Sequence, residues 1–268
     1  MKDVLGQAIA DHFHKRSSAR LRVHTRWGPE APDHALGSSK EIMPVKTYFR
    51  QADEMPALEW VALQHCKGRI LDIGAGAGSH SLLLQKMGLD ITALDISPFN
   101  AAVMKERGIK KVLCRDFFKL RPARSIPTRN TNVSQPSGSY DTLLLLMNGI
   151  GLTATLDGLH LFLQKAKTLL RPGGSLIFDS SDVAYLYPER PPKKGPYYGE
   201  ICYQYEYLGS RTDWFKWLFI DKRTLRRIAT REGWKMQLLF EDKSGQYLVK
   251  LSPVHNILLS SAQISTSH

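Results

Sequence analysis

The chain has 268 residues, of which 43% are hydrophobic, and this suits one large globular domain with extensions. No apolar run approaches the ~18 residues of a membrane-spanning helix, and the N-terminus lacks the layout of a signal peptide. The three cysteines are widely spaced, which argues against a disulfide framework or a metal site and favours a reducing compartment. We therefore expect a cytoplasmic protein without a membrane partner.

The net charge is +12, so the location of the basic excess bears on the partners of the protein. Basic residues concentrate between Lys105 and Arg129 and again between Arg211 and Lys235. A basic surface can bind nucleic acid, but neither segment carries an aromatic-interleaved RNA-binding motif. We favour solvated helix faces and loops, and a nucleic-acid partner stays open without being favoured.

Residues 1–67 form an N-terminal extension with two predicted helices. Apolar residues recur at helical spacing from Val4 to Phe13, and Pro56 precedes an apolar stripe that ends at Leu63. The stretch 14–40 between them is basic and broken by Gly-Pro and Ala-Pro pairs.

A glycine-rich loop follows the extension. Leu71-Asp72-Ile73 precedes glycines at positions 74, 76 and 78, and an apolar helical stretch comes next. Such glycines let the backbone approach a ligand closely, and the following helix presents free N–H groups, which predicts a nucleotide-like cofactor. Because Ser79 stands where the dinucleotide fingerprint needs Gly or Ala, and Asp72 would repel a pyrophosphate, an NAD(P) oxidoreductase is disfavoured.

Four further segments have the order of an alternating α/β domain. The run 91–95 is apolar and ends in an acid that suits the hydroxyls of a ribose, and 111–118 predicts a strand followed by Asp-Phe. The apolar run in 140–149 is typical of a parallel strand buried on both faces. Residues 169–178 end a helix at Pro-Gly-Gly and begin another strand.

Together these five segments, which cover about residues 68–180, resemble the class I S-adenosylmethionine-dependent methyltransferases. The first motif of that family reads hydrophobic-Asp/Glu-hydrophobic-Gly-x-Gly-x-Gly, as residues 71–78 do. The resemblance implies an α/β fold with a Rossmann-like seven-stranded sheet, mostly parallel with an antiparallel last strand. It also implies S-adenosyl-L-methionine as cofactor and S-adenosyl-L-homocysteine as product.

The resemblance further implies which residues contact the cofactor, all of them in the glycine loop or at strand ends. They are Asp72, Gly74, Ala75, Gly76 and Gly78 for the methionine end, Asp95 and Ile96 for the ribose, Asp116 and Phe117 for adenine, and Met147 and Asn148 near the transferring methyl group. Asn148 is followed by Gly149 and not by Pro-Pro and an aromatic residue. The motif typical of enzymes that methylate planar amino groups of bases or glutamine is therefore absent.

The reaction needs no universal catalytic residue, because the sulfonium already activates the methyl group and the protein mainly supplies alignment. A general base is needed only where the acceptor carries a proton at neutral pH. No catalytic residue is therefore assigned from the sequence. The candidates for a base or an acceptor contact are His80, Asn148, Asp179, Asp182 and Tyr185.

Residues 180–220 form an aromatic-dense insertion, in which 201–208 and 214–220 alternate like the two strands of a β-ribbon. Because ligands bind outside the carboxyl ends of the strands in such sheets, we expect the insertion to wall the acceptor pocket. Most of its aromatic side chains would instead form the core of the ribbon. A helix over 221–232 and a hairpin over 235–251 close the domain.

We thus expect an N-terminal helical extension over 1–67, a methyltransferase domain over 68–252 and a tail over 253–268, with 121–139 as a flexible surface loop. Extensions of this kind often cover the cofactor pocket in the family that the chain resembles, and a simple packing role stays open. The favoured function is methyl transfer to a small molecule, such as a metabolite or natural product, by in-line displacement. The alternatives are an RNA or protein methyltransferase and a non-catalytic cofactor-binding module, and the oligomeric state is undetermined.

Overall fold

A computed structural model describes residues 2–121 and 139–254, so the loop 121–139 and the tail 253–268 lie almost wholly outside the described residues. The described helices are α1 (Val4–Phe13), α2 (Ala57–Gln64), α3 (Ser79–Lys86), α4 (Pro98–Glu106), α5 (Leu156–Leu169) and α6 (Lys222–Arg231). The described strands are β1 (Leu21–Trp27), β2 (Gly37–Met43), β3 (Arg69–Ile73), β4 (Asp90–Asp95), β5 (Val112–Cys114), β6 (Tyr140–Leu145), β7 (Leu170–Ser181), β8 (Glu200–Tyr207), β9 (Ser210–Arg211), β10 (Phe215–Leu218), β11 (Trp234–Glu241) and β12 (Gln246–Pro253).

The larger sheet has seven strands in the order β11-β12-β7-β6-β3-β4-β5. Strands β3 to β7 pair in parallel, whereas β12 pairs antiparallel with both β7 and β11. The antiparallel strand is thus the last in the chain and lies inside the sheet. This arrangement confirms the predicted Rossmann-like methyltransferase sheet.

Helices cover both faces of this sheet, as its uninterrupted apolar strands predict. Leu143 and Leu145 of β6 pack with α5 and α6, while Leu144 packs on the other face with α2 and α3. Successive side chains of a strand point to opposite faces, so a strand covered on both sides must be apolar throughout. Because β3, β4 and β6 are neighbouring parallel strands, their carboxyl ends meet at one edge of the sheet, where the glycine loop begins.

A second, antiparallel sheet is built from two distant parts of the chain. Its order is β10-β8-β1-β2, with β9 paired to β8. The insertion supplies β8, β9 and β10, close to the predicted ribbon, but β1 and β2 come from the extension. The prediction of a broken stretch over 14–40 was therefore wrong, since β1 and most of β2 lie there.

Strand β2 was not predicted because its own sequence has little apolar pattern. Gly37 to Lys40 are small or polar, and the strand is fixed by its pairing with β1, where Leu21 and Val23 supply the buried positions. Strand β1 in turn pairs with β8, about 180 residues further along the chain. Periodicity within a short window carries no signal for such pairings.

Candidate cofactor and acceptor site

The glycine loop between β3 and α3 is tied to the end of the neighbouring strand β4. The backbone N–H groups of Gly74 and Ala75 donate to the Leu94 carbonyl over 2.8 and 3.0 Å, and that of Gly76 donates to Asp95 Oδ2 over 2.9 Å. Gly74, Gly76 and Gly78 all have positive φ, at 72°, 58° and 80°, a region that residues with a Cβ rarely adopt. These loop residues are thus brought together with Asp95.

Asp95 and Ile96 differ sharply in exposure. Asp95 is buried and also accepts a hydrogen bond from the Ser97 N–H over 2.8 Å, which fixes the direction of its carboxylate. Burial raises the pKa of this carboxyl, although the two backbone donors oppose that shift. The Ile96 side chain beside it is 71% exposed, so the site edge presents a bare apolar surface.

Asp72 lies beneath the loop and is almost inaccessible. Its Oδ2 accepts the Ser81 hydroxyl over 2.7 Å, and burial raises the pKa of its carboxyl, while the nearby His80 lowers it. His80 Nε2 lies 2.7 Å from Glu59 Oε2, and Glu59 also pairs with the guanidinium of Arg50. The candidate base His80 is thus held by Glu59, and this contact, with that of Arg50, joins α3 to the extension.

The predicted adenine contacts divide between the core and the surface. Asp116 Oδ1 accepts the Phe118 N–H over 2.9 Å, so its carboxylate caps the turn that follows β5. The Phe117 ring is buried against Phe162, with centroids 4.5 Å apart, and is covered by the core. The exposed ring here is Phe118, at 43%, which the sequence analysis did not select.

Met147 and Asn148 form a left-handed turn directly after β6. Their φ values are 60° and 54°, unusual for residues with side chains and frequent where a functional site holds the backbone. The Asn148 N–H donates to both carboxylate oxygens of Asp179, over 3.0 and 2.9 Å. Its side-chain Oδ1 accepts the Ser180 hydroxyl over 3.1 Å, so the end of β7 holds this turn.

Asp179 itself is fully buried at the end of β7. Besides Asn148, the Gln246 amide donates to its Oδ2 over 3.1 Å. Burial raises the pKa of Asp179 to about 6, although these donors favour the charged form. Both oxygens are engaged by protein donors, an arrangement that suits positioning of the turn.

The two remaining candidates lie on the loop after β7. Asp182 accepts the Ala184 N–H over 2.9 Å and the Tyr198 hydroxyl over 2.8 Å, which is a loop-capping arrangement. Tyr185 is 77% exposed. Asp182 thus caps the loop, and Tyr185 lies near Tyr203 of the second sheet.

The extension lies directly against the glycine loop. The Ser79 hydroxyl donates to the Tyr48 carbonyl over 2.8 Å, and a methyl group added at Gly76 would be 3.0 Å from Tyr48 Cδ1. The Arg107 guanidinium stacks 5.0 Å from the centroid of Phe49. Tyr48 and Phe49 sit in a short 3₁₀ turn that gave no periodic signal, so the sequence analysis missed both.

The inner face of the second sheet carries an aromatic wall, which consists of Tyr203, Tyr205, Phe215, Trp217 and Phe219. Neighbouring ring centroids are 5.3 to 6.4 Å apart. Trp217 packs on Gly151, three residues after Asn148, since a methyl group at Gly151 would be 2.0 Å from its Nε1. Burial, with the nearby Tyr205 and Asp95, raises the pKa of Tyr48, so this phenol lies between the wall and the loop.

Metal-ligand clusters and membrane-spanning helices can be sought among the described residues. Residues 2–121 and 139–254 contain no group of three or more His, Cys, Asp or Glu side chains that could hold a metal ion. No helix within these ranges is long and apolar enough to cross a bilayer.

The sheet order, the glycine loop and the acid at the end of β4 define a class I methyltransferase fold. A family model described as a methyltransferase domain matches residues 71–178. An S-adenosylmethionine-dependent methyltransferase from Bacteroides fragilis, solved with S-adenosyl-L-homocysteine, is 37% identical, with 95% of this chain and 96% of that chain covered and a TM-score of 0.78. The chain belongs to the S-adenosylmethionine-dependent methyltransferases, and S-adenosyl-L-methionine is its cofactor.

Curated relatives are more distant. The ubiquinone biosynthesis O-methyltransferase of Xanthomonas euvesicatoria is 24% identical over 180 residues, which are 65% of this chain. This chain spans only 64% of the length of that relative. The demethylmenaquinone methyltransferase of Tropheryma whipplei is 28% identical over 110 residues, which cover 40% of this chain and 39% of that protein.

Proposed function

We propose that this methyltransferase acts on a small-molecule acceptor with a flat apolar part, such as a ring. The observation that carries the proposal is the aromatic wall, which meets the strand-end turn through the contact of Trp217 with Gly151. Stacked aromatic side chains bind flat apolar groups through area burial and ring geometry. The ubiquinone biosynthesis O-methyltransferase and the demethylmenaquinone methyltransferase to which the chain is similar support an acceptor of this kind.

We assign the cofactor to the edge formed by the glycine loop and Asp95, as the family resemblance implies. The residues fit this group, because Gly74 faces open space, Asp95 is fixed by backbone donors, and Ile96 offers an apolar surface. The bound cofactor supplies a methyl group already activated by its sulfonium. The remaining predicted contacts, Asp116 and Met147 among them, stay part of this proposal.

The protein's own contribution is alignment and exclusion of water. The turn at Met147 and Asn148, clamped by Asp179, forms one boundary of the reacting space, and Tyr48 with the aromatic wall forms the other. Burial raises the pKa of Tyr205 to about 12, so this phenol stays protonated at neutral pH and can donate a hydrogen bond. Alignment of two reactants can lower a barrier by roughly 7–11 kcal/mol.

The domain boundaries 1–67 and 68–252 stay proposals as well. The extension contributes β1 and β2 to the sheet that carries the aromatic wall, and it places Tyr48 over the loop. We propose that it covers the pocket in addition to packing against the domain.

A labelled-methyl assay tests the acceptor class. The full chain is incubated with isotope-labelled S-adenosyl-L-methionine and, separately, with a panel of small phenols and quinols, with total RNA and with unfolded protein. We expect label in the small-ring panel and a KM for that acceptor raised about tenfold by Trp217→Ala, because stacking area is lost. Label that enters RNA or protein alone would overturn the small-molecule proposal and leave the methyltransferase assignment intact.

A further inference from the structure

The outer face of the second sheet differs in chemistry from the aromatic wall on its inner face. Side chains alternate between the faces, so the register places Lys40, His24 and Gln204 in one outward row. The next row contains Arg26, and β9 adds Arg211 opposite Glu206. These side chains, with Ser38 and Trp214, line a groove of about 240 Å³, which we call the outer groove.

The positive charge of the outer groove is held in place by neighbouring acceptors. Arg211 and His24 lie 2.8 Å from the same oxygen of Glu206, and Arg22 lies 3.2 Å from the other oxygen. Glu206 thus orients Arg211 and His24, which line the groove, together with Arg22 beside it, and its single negative charge balances one guanidinium. Glu206 itself is absent from the lining of the groove, which contains no carboxylate among the described residues.

Arg26 is fixed independently of that carboxylate. Its Nη1 donates to the Pro32 carbonyl over 2.7 Å, and its guanidinium lies 4.8 Å from the centroid of the Trp214 ring. A guanidinium that stacks on an indole keeps its planar fork in one orientation. Neither of these contacts is with a carboxylate, so the oriented guanidinium of Arg26 can still pair with an anion.

We propose that the outer groove binds a phosphoryl group. Two oriented guanidinium groups, the exposed ammonium of Lys40 and a serine hydroxyl provide the charge-assisted donors that phosphate oxygens require. The small volume suits one phosphoryl group with a short attachment. Since the sheet separates this groove from the aromatic wall, the site is distinct from that of methyl transfer and stands whatever the acceptor is.

Calorimetric titration of the full chain with inorganic pyrophosphate, at roughly 0.15 M salt, tests the site. We compare the wild type with Arg26→Met/Arg211→Met, with Lys40→Met, and with Arg226→Met/Arg227→Met on the exposed face of α6 as the charge-matched control. We expect saturable binding that weakens about tenfold for each guanidinium lost from the groove and changes less than about twofold in the control. Thermal unfolding and binding of S-adenosyl-L-homocysteine verify that each variant is folded.

Two results would overturn the proposal: no saturable binding to the wild type, or an equal loss in the control pair, which would indicate attraction by net charge alone. The Lys40→Met variant keeps the test decisive if the double variant unfolds, because Lys40 is exposed. A second arm uses labelled single-stranded RNA of about 12 nucleotides. RNA binding that the groove variants weaken, and that pyrophosphate displaces, assigns the phosphoryl group to a nucleic acid; RNA binding that they leave unchanged assigns it to a small phosphorylated ligand.

Discussion

Asp179 is a buried carboxylate that holds the turn after β6. Its two oxygens hold the Asn148 N–H in a left-handed turn, and Gln246 donates to one of them. The sequence analysis selected Asp179 as a base candidate because an acid at a strand end is conspicuous. The structure assigns it the geometry of a positioning residue, since neither oxygen faces solvent.

The raised pKa of Asp179 makes a prediction about stability and pH. Burial raises its pKa from an ordinary value of about 4 in the unfolded chain to about 6 in the fold. The folded protein then binds this proton more tightly than the unfolded chain does, so protonation of Asp179 stabilises the fold. That contribution to the free energy of unfolding is complete below about pH 4 and is lost as pH rises through about 6. Asp179→Asn should remove that decline, which amounts to about 3 kcal/mol.

Denaturant unfolding of both proteins between about pH 4 and 7 measures the difference in the free energy of unfolding. Asp182→Asn, three residues along the chain and exposed, is the control and should leave the pH profile of the wild type unchanged. Parallel profiles for the wild type and Asp179→Asn would show that Asp179 titrates normally.

At the scale of elements, the glycine loop was predictable because its signal is local. A strand, three glycines at alternate positions and a helix occur in one short run, and the structure shows each glycine at positive φ. The second sheet was predictable only in part, because β8 and β10 alternate whereas β2 depends on pairing with β1. Tyr48 gave no signal at all, since its place over Gly76 is set by how the extension packs.

Two glycines offer a matched test of the cofactor edge. Gly74 and Gly88 have φ of 72° and 83°, and a methyl group added at either would meet no atom within 4 Å. Gly74→Ala and Gly88→Ala should therefore destabilise the fold similarly, by about 1 kcal/mol. Only Gly74→Ala should weaken S-adenosyl-L-homocysteine binding, by about tenfold, because its methyl group would enter the space that we assign to the cofactor.

Thermal unfolding and calorimetric titration of the two variants provide the comparison. If both variants bind S-adenosyl-L-homocysteine with the affinity of the wild type, the cofactor lies away from Gly74. Equal loss in both would show that general strain, and not contact, controls binding.

At the scale of the whole molecule, the second sheet contributes one face to each of the two proposed sites. Its inner face carries the aromatic rings that we propose to bound the reacting space, and its outer face concentrates part of the +12 net charge. The extension and the insertion depend on each other, because β1 lies between β2 and β8. If the extension covers the cofactor as we propose, both segments take part in that closure.

Hydrogen exchange tests this coupling. Binding of S-adenosyl-L-homocysteine should increase protection of amides in residues 45–49, which pack against the glycine loop, and in β8, which pairs with β1 of the extension. The amides of α6, which pack on the far side of the large sheet, should change little. Protection confined to the glycine loop would contradict a covering role for the extension.

The assignment of the cofactor edge is tested most directly by two acids on one strand. Asp95 is buried at the end of β4 and fixed by Gly76 and Ser97, whereas Asp90 is partly exposed at its start and pairs with Arg69 and Lys111. Calorimetric titration with S-adenosyl-L-methionine and with NAD⁺ should show binding of the first ligand alone, weakened at least about tenfold in Asp95→Asn and unchanged in Asp90→Asn. Unchanged binding in a folded Asp95→Asn, or equal loss in both variants, would contradict the account of this site.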